Sequence, residues 1–275
     1  MPGVMPLACG MNTEKIRSDF DEIARLADYR ETRTDRYDSF LAAQVPAGAV
    51  DVLEVGCGLG QLTTALATEK RQVTSVDLSP EMVARARQRS QATLRVSFLC
   101  GDFLEHDFGS KKFDCVVSAA TLHHLPEKVA VSRMVTLLRP AGRLVIHDLR
   151  TNSGMLDHLR SFAALSQVAA VRFLRTGRPR SPREVRDAWE RHGAGETYLT
   201  LQQAQALANR LLPDARVFHH WLWRYTIVWD KPTAAQQPLG AGAPDSPCDH
   251  VPGARLKRNV GRRRYLRPPY RWVLW

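Results

Sequence analysis

Three alternating glycines in the segment Gly56-Cys57-Gly58-Leu59-Gly60 form a loop that can hold a nucleotide-type ligand, with Glu54 two residues ahead of it. Glycines allow a sharp bend and bring backbone N–H groups close to a ligand, beside the positive end of a helix. A dinucleotide site needs a small residue at the sixth position, where this chain has Gln61. The loop therefore favours a different nucleotide-like cofactor, although tight turns of this composition also occur without a ligand.

Two acidic residues follow the next two predicted strands, 72–76 and 96–100. Asp77, 21 residues after Gly56, is placed to accept both hydroxyls of a ribose. Asp102 and Phe103 suit an adenine, because the acid can accept from its exocyclic amine and the ring can supply an apolar face. The alternatives are a helix N-cap or surface acid at Asp77 and a simple turn at Asp102.

Histidines mark two further strand ends. His123 and His124 follow the predicted strand 113–119, and His147 lies at the end of the strand 142–148. Histidine is the usual general base near neutral pH, so we predict these three as catalytic candidates. The alternatives are a structural turn before Pro126 or packing on the cofactor. Later in the chain, His192, Glu196 and Tyr198 are candidates for substrate contact, and a solvated loop is the preferred interpretation there.

The elements that must position these residues alternate between strands and helices. Two amphipathic helices are predicted within 16–43, followed by five strands separated by helices, then a helix over 201–212 and a hairpin of strands 216–221 and 225–229. The pattern predicts an α/β fold with a doubly wound, mostly parallel seven-stranded sheet and helices on both faces. The segment 150–199 interrupts the alternation as a helical insertion between strands five and six, with helices over 156–174 and 183–192.

Composition divides the chain into a flexible leader (1–15), a folded domain (16–232) and a basic tail (233–275) predicted to be disordered. The net charge is +11, of which the eight Lys/Arg and two Asp of the tail account for +6 and the rest of the chain for +5. An evenly basic, nucleic-acid-binding surface is therefore not indicated. Five cysteines without a CxxC pair disfavour a zinc site or disulfide framework and favour the cytoplasm. We predict no metal site and no membrane span.

The segment from Val52 to Leu149 resembles the class I (seven-stranded) S-adenosylmethionine-dependent methyltransferases, and within them the small-molecule branch related to ubiquinone and menaquinone methyltransferases. The resemblance continues through the last helix and hairpin. It implies S-adenosylmethionine as the cofactor. The cofactor-binding residues that it implies, together with the acid before the loop, are Glu54, Gly56, Cys57, Gly58, Gly60, Asp77, Leu78, Asp102, Phe103, Ala119, Thr121 and His124.

Within that set, the resemblance assigns the glycines to the methionine portion and ribose and Leu78 to the underside of the adenine. The backbone of Ala119 would meet the methionine amino group, near Thr121 and His124. An N-terminal helix closes over the cofactor with a tyrosine in this family, which here would be Tyr29 or Tyr37. The Pro-Pro motif of methyltransferases that act on exocyclic or amide nitrogens does not follow strand four.

The acceptor is expected to be a small molecule, such as a secondary metabolite or a quinone-like aromatic, methylated on oxygen, carbon or nitrogen by in-line displacement. Two alternatives remain open at this level. One is an RNA methyltransferase that uses the arginine-rich insertion and the tail, and the other is an S-adenosylmethionine-binding regulator without catalysis. A dehydrogenase is disfavoured by Gln61. The sequence leaves the acceptor atom, the general base and the oligomeric state open.

Overall fold

The structure, a computed structural model, describes residues 13–26, 35–90, 95–152, 180–221 and 223–233, together with 166–167, 169–170, 173–174 and 177. Tyr29, most of the predicted helix 156–174 and residues 234–275 of the predicted tail lie outside the described residues. Helix α1 (Thr13–Leu26) begins before the predicted start of the domain at residue 16. Helix α2 is Asp35–Gln44. The two helices are those predicted within 16–43.

The described elements that follow have the predicted order of strands, although no helix lies between β3 and β4. They are β1 (Asp51–Val55), α3 (Gln61–Leu66), β2 (Gln72–Asp77), α4 (Pro80–Arg89), β3 (Val96–Cys100), β4 (Phe113–Ala119), a 3₁₀ turn (Leu122–His124), α5 (Glu127–Leu137), β5 (Leu138–Leu149), α6 (Arg183–Gly193), α7 (Leu201–Leu211), β6 (Arg216–His220) and β7 (Arg224–Asp230). Their sheet has the order β3-β2-β1-β4-β5-β7-β6. The seven-stranded α/β fold predicted from the sequence is confirmed.

Strands β1 to β5 are parallel, and β7 runs antiparallel to both of its neighbours. Both faces of the sheet are covered. Alternate residues of β1 belong to different cores, with Leu53 in the cluster that contains α5 and α7 and Val52 in the cluster that contains α2 and α3. The parallel strands therefore end at one common edge, which is where ligands bind in open sheets of this kind.

Two predicted boundaries were wrong. The sequence pattern predicts the helix after the glycine loop over 61–69, but α3 ends at Leu66, because Ala67 is extended (φ −70°, ψ 132°) and a short bridge between Thr68 and Arg71 turns the chain into β2. Strand β5 starts at Leu138 rather than Gly142, since its pairing with β4 shifts register between Phe113 and Cys115. Among the described residues, we find no helix that is both long and apolar enough to cross a bilayer.

Candidate active site

The glycine loop joins β1 to α3 at the ligand-binding edge. Gly56, Gly58 and Gly60 all have positive φ, at 80°, 50° and 81°. The N–H groups of Gly56 and Cys57 both donate to the carbonyl of Val76 at the end of β2, at 2.8 and 3.3 Å. The loop is thus held against the neighbouring strand by its own backbone, in a conformation that favours glycine.

The surroundings of the three glycines differ. A Cβ atom on Gly60 would lie 3.0 Å from that of Ala86 in α4, whereas one on Gly58 would meet no described atom within 4 Å. The middle glycine therefore borders open space at the mouth of the site. The thiol of Cys57 is buried, and burial, assisted by the charge of Asp77, raises its pKa.

Asp77 ends β2 beside this loop, at the position predicted for ribose recognition. Its Oδ2 accepts from Gly58 N–H at 2.8 Å, and its Oδ1 accepts from Ser79 N–H at 2.9 Å. Burial raises the pKa of Asp77 and these backbone hydrogen bonds lower it, with a net upward shift. Ser79 caps α4 by accepting from Met82 N–H. The Asp77 carboxylate therefore fixes the loop, and Leu78 beside it is half-buried.

Glu54 lies beneath the loop and is only 1% exposed. One of its oxygens, Oε2, accepts from Thr63 Oγ at 2.5 Å and from Ser75 Oγ at 2.7 Å. Burial raises the pKa of Glu54 to about 7, although these two hydrogen bonds oppose the shift. The side chain thus connects β1 to α3 and β2, the elements on either side of the loop.

Asp102 and Phe103, the pair predicted to hold the adenine, have different surroundings in the structure. Asp102 Oδ1 accepts from Leu104 N–H at 2.7 Å, which makes the turn that follows β3. The ring of Phe103 is 5% exposed and packs in the main core, with the Arg133 guanidinium 5.5 Å from its centre. Core packing therefore accounts for the position of this ring, and its contact with adenine stays a prediction. The backbone of Phe103 and the Asp102 carboxylate remain predicted contacts.

The end of β4 makes a tight turn toward the glycine loop. Ala120 has φ 52°, and its N–H donates to the carbonyl of His147 in β5 at 2.8 Å. Thr121 Oγ donates to the carbonyl of Ala119 at 3.0 Å. This turn places Thr121 directly against the loop, since a Cβ atom on Gly56 would fall 1.9 Å from Thr121 Oγ1. Ala119 and Thr121 therefore lie where the sequence predicted.

His123, in the 3₁₀ turn that follows, is fixed by Asp148 of β5. Asp148 Oδ2 accepts from the His123 backbone N–H at 2.8 Å, and its Oδ1 lies 2.6 Å from His123 Nδ1. Burial lowers the pKa of His123, but the charge and hydrogen bond of Asp148 outweigh it, so the pKa is raised. The sequence analysis singled out His147 at the end of this strand and missed its neighbour Asp148, whose pairing with His123 depends on the fold.

His124 turns toward Glu196, which follows α6. His124 Nδ1 lies 2.8 Å from Glu196 Oε1, and His192 Nε2 of α6 lies 2.9 Å from the same oxygen. Tyr198 donates its hydroxyl to Glu196 Oε2 at 2.7 Å. The Glu196 side chain is 11% exposed, so the preferred interpretation of this segment as a solvated loop was wrong. We call His123, His124, His192 and Glu196 the histidine–glutamate cluster.

Burial raises the pKa of Glu196, but the hydrogen bonds from His124 and His192 outweigh this effect and hold it far below its usual range. Burial and the neighbouring His123 lower the pKa of His124. The cluster therefore combines an ionised carboxylate with three imidazole rings in a largely enclosed space at the ligand-binding edge of the sheet.

Comparison with known proteins supports this reading of the fold and the glycine loop. Residues 52–142 match the model of a methyltransferase domain. An uncharacterized methyltransferase of Mycobacterium tuberculosis strain H37Rv is 32% identical over 202 residues, a match that covers 71% of this chain and 94% of that protein. The chain belongs to the class I S-adenosylmethionine-dependent methyltransferases.

Two further proteins place this methyltransferase among its relatives. A ubiquinone biosynthesis O-methyltransferase of Xanthomonas campestris pv. campestris strain B100 is 36% identical over 115 residues, covering 40% of this chain and 47% of that protein. The structure of the N-methyltransferase NodS from Bradyrhizobium japonicum WM9, in complex with S-adenosyl-L-homocysteine, superposes with a TM-score of 0.53 at 18% identity. The superposition covers 78% of this chain and 98% of NodS, and it shows that the two proteins share a fold.

The third catalytic candidate of the methyltransferase, His147, belongs to a different group of side chains. Its Nδ1 lies 2.8 Å from Thr226 Oγ1, and its ring lies 4.7 Å from that of Tyr37. Burial, together with the charges of Arg224 and His220, lowers the pKa of His147 to about 2. The structure thus brings His123 and His124 together and leaves His147 on the opposite face of β5. Tyr37 itself donates to the carbonyl of Trp221.

Helices α1 and α6 of the methyltransferase pack over the histidine–glutamate cluster. Asp19 Oδ2 lies 3.1 Å from His192 Nδ1, and the ring of Phe20 lies 4.6 Å from that of His192 and 5.2 Å from that of His124. An exposed ion pair between Glu22 and Arg191 joins the same two helices. The N-terminal helix α1 therefore covers the histidine–glutamate cluster through Asp19 and Phe20, and the closure of a tyrosine over the cofactor stays a prediction.

Proposed function

We propose that this methyltransferase transfers the methyl group of S-adenosylmethionine to a hydroxyl oxygen of a small-molecule acceptor. The observation that carries the proposal is the histidine–glutamate cluster, which gathers hydrogen-bonding atoms next to the turn that contacts the glycine loop. A hydroxyl is both a donor and an acceptor, so it matches a cluster of imidazole nitrogens and carboxylate oxygens. The relative named as a ubiquinone biosynthesis O-methyltransferase supports an oxygen on an aromatic or quinone-like molecule.

The residues that would hold the cofactor fit it. The loop exposes backbone next to open space at Gly58, where a side chain would otherwise stand. Asp77 keeps that loop in place through Gly58 N–H and lies where a carboxylate can also reach a ribose. When bound, S-adenosylmethionine supplies an electrophilic methyl group on a sulfonium.

The acceptor side of the reaction depends on alignment. In-line displacement is accelerated chiefly when the nucleophile is held at the correct angle and distance. Asp148 fixes both the backbone and the ring of His123, and Glu196 fixes His124 and His192. An oxygen that binds against these side chains is therefore held by groups that cannot rotate freely, beneath the cover that α1 and α6 form.

Turnover of defined acceptors tests the proposal. The full chain is incubated with S-adenosylmethionine and a panel of phenols, hydroxyl-bearing quinones, amines and short RNAs, and both S-adenosylhomocysteine and methylated product are followed by mass spectrometry. O-methylated phenol or quinone is the expected product. Methylation of RNA alone, with the steep salt dependence of phosphate contacts, would contradict the proposal. Cofactor binding without any product would identify a regulator instead.

A further inference from the structure

We propose that the histidine–glutamate cluster binds a divalent transition-metal ion, with His123, His124 and Glu196 as ligands. Each of these residues offers one ligand atom, and the three atoms lie within 4.8 Å of one another. Two imidazole nitrogens and one carboxylate form a ligand set used for zinc, iron and manganese in proteins. The sequence analysis predicted no metal site from the spacing of the cysteines. His123 and Glu196 are 73 positions apart in the chain, so no short metal-binding motif marks this set.

The proton positions at His123 are the first argument. A carboxylate only accepts, so the 2.6 Å contact with Asp148 Oδ1 places a hydrogen on His123 Nδ1. In the neutral ring Nε2 then carries a lone pair. That atom is buried without a hydrogen-bond partner among the described residues, and it faces Glu196 Oε2 at 3.6 Å. Unless the ring takes up a second proton, two acceptors face each other there, and a metal cation between them relieves that unfavourable contact.

His192 presents the same conflict from the other side of the cluster. Its Nδ1 lies 3.1 Å from Asp19 Oδ2, and its Nε2 lies 2.9 Å from Glu196 Oε1. Both ring nitrogens thus face carboxylates, although a neutral imidazole has only one N–H. A metal ion held at Glu196 would leave the N–H of His192 on Nδ1 for Asp19. It would also make His192 Nε2 available as a fourth ligand.

The arrangement of the outer carboxylates supports the same conclusion. Asp148 holds the Nδ1 side of His123 and Asp19 holds the Nδ1 side of His192, so that both Nε2 atoms are directed at Glu196. Carboxylate–histidine–metal chains have this geometry, because the outer carboxylate fixes the tautomer and orientation of the ligand ring. Three carboxylates around three imidazoles also provide the negative charge that a divalent cation requires.

The site deepens the proposed function and rests on it for its role in catalysis. A cation at the cluster would bind the hydroxyl oxygen of the acceptor and lower its pKa, so that the proton passes to water. The oxygen lone pair then forms the new O–CH₃ bond while the S–CH₃ bond breaks. The electron pair of the broken bond stays on sulfur, and S-adenosylhomocysteine leaves. This favours acceptors with an acidic hydroxyl, such as phenols and hydroxyquinones.

Cobalt(II) is the probe that tests the site. The full chain is freed of metal with EDTA and titrated with Co²⁺ while visible absorption and binding heat are recorded. The chain is expected to bind one equivalent of Co²⁺ and to give a spectrum characteristic of nitrogen and oxygen ligands. Zn²⁺ should displace the bound Co²⁺. Glu196→Gln and His124→Gln should abolish this binding, and Asp148→Asn should weaken it roughly 10- to 100-fold as an outer partner. His220→Gln, which changes a histidine outside the cluster, should leave it unchanged.

Thermal unfolding of each variant shows whether a loss of Co²⁺ binding comes from a loss of folded structure. If a variant of a ligand residue does not fold, the weaker binding expected of Asp148→Asn still tests the metal site. Failure to bind Co²⁺, or equal binding by the wild type and Glu196→Gln, would overturn the metal site and indicate that protons hold the cluster together. O-methylation that continues unchanged in EDTA would then leave the proposed function intact. Conversely, stoichiometric Co²⁺ binding without turnover of any hydroxyl acceptor would support the site and reject the function.

Discussion

Gly56 and Thr121 are in direct contact across the mouth of the site, because a Cβ atom on Gly56 would lie 1.9 Å from Thr121 Oγ1. The first residue belongs to the loop after β1, and the second to the turn after β4. The glycine therefore does more than allow a bend. Its missing side chain lets the predicted cofactor loop and the turn that leads to the histidine–glutamate cluster come together.

Gly56→Ala is expected to separate these two segments. Both Gly56 and Gly58 have positive φ, so replacement of either by alanine costs about 1–2 kcal/mol of backbone strain. Only Gly56→Ala adds the clash with Thr121, whereas Gly58→Ala meets no described atom within 4 Å. Gly56→Ala should thus lower the free energy of unfolding more than Gly58→Ala in urea titrations.

The double variant Gly56→Ala/Thr121→Gly provides the control, because removing the Thr121 side chain removes the clash. It should recover part of the stability lost in Gly56→Ala, which a double-mutant cycle measures as a coupling energy. Equal costs for the two alanine variants, with no recovery, would show that the contact does not constrain the loop.

Much of this fold can be predicted from local pattern. The bounds of β3 and β4 agree with the sequence prediction, because each is a short, mainly apolar run followed by a turn. Ser79 and Pro80 likewise mark the start of α4, since the capping serine acts within four residues. The start of β5 could not be predicted, because it depends on a register shift against β4 rather than on its own sequence.

The site was predictable where each element ends, and not where distant side chains pair. Asp77 and His123 lie at strand ends, which the alternation of strands and helices reveals. Glu196 lies beyond the interrupting insertion, and only folding shows that it meets His124. The ring of Phe103 shows a further limit of local sequence pattern. An aromatic residue at a strand end can pack into the core as easily as onto a ligand, and here it packs into the core.

Asp77→Asn should weaken S-adenosylmethionine binding. The carboxylate accepts from two backbone N–H groups with its two oxygens, whereas an amide has one oxygen and turns its NH₂ toward the other donor. Hydrogen bonds to a charged group contribute about 1.5–3 kcal/mol, so an affinity loss of roughly 10- to 100-fold is expected by isothermal titration calorimetry.

Asp114→Asn is the matched control for that measurement. Asp114 also accepts two backbone N–H groups, from Val50 and Asp51, but it lies at the start of β4. Its replacement should reduce stability and leave the affinity for S-adenosylmethionine unchanged. Similar affinity losses in both variants would mean that Asp77 acts through general stability rather than through the cofactor.

Glu54→Gln should reduce the dependence of stability on pH. The pKa of Glu54 is about 7 in the folded chain against an ordinary value of 4.5, so the contribution of Glu54 to stability is complete below pH 4.5. It is lost as the pH rises through 7, because the folded state must then hold a buried charge. The difference between these two pKa values corresponds to about 3 kcal/mol of unfolding free energy.

Urea unfolding at pH 5 and pH 8 measures this effect. The drop in unfolding free energy between the two values should be smaller in Glu54→Gln than in the wild type, by an amount of that order. The exposed Glu69→Gln should show the wild-type drop. If Glu54→Gln shows the same drop as the wild type, the buried carboxyl does not titrate in this range.

Phe20→Ala should loosen the cover that α1 and α6 form over the histidine–glutamate cluster. The Phe20 ring packs against His124, His192 and Trp189. It is half-buried, so its removal is expected to cost about 1–3 kcal/mol, less than the 3–5 kcal/mol of a fully buried phenylalanine. Because the Phe20 ring is the apolar contact of α1 with the cluster and with Trp189 of α6, hydrogen exchange should accelerate in α1 and α6 and remain unchanged in the sheet.

Phe40→Ala distinguishes this local opening from a general loss of stability. Phe40 lies on α2 and packs against Phe218 and His220, away from the cluster. Its replacement should accelerate exchange in α2 and leave α1 and α6 protected. If Phe20→Ala and Phe40→Ala accelerate exchange in the same segments, α1 does not open independently, and the cover over the site is part of the cooperative core rather than a separate element.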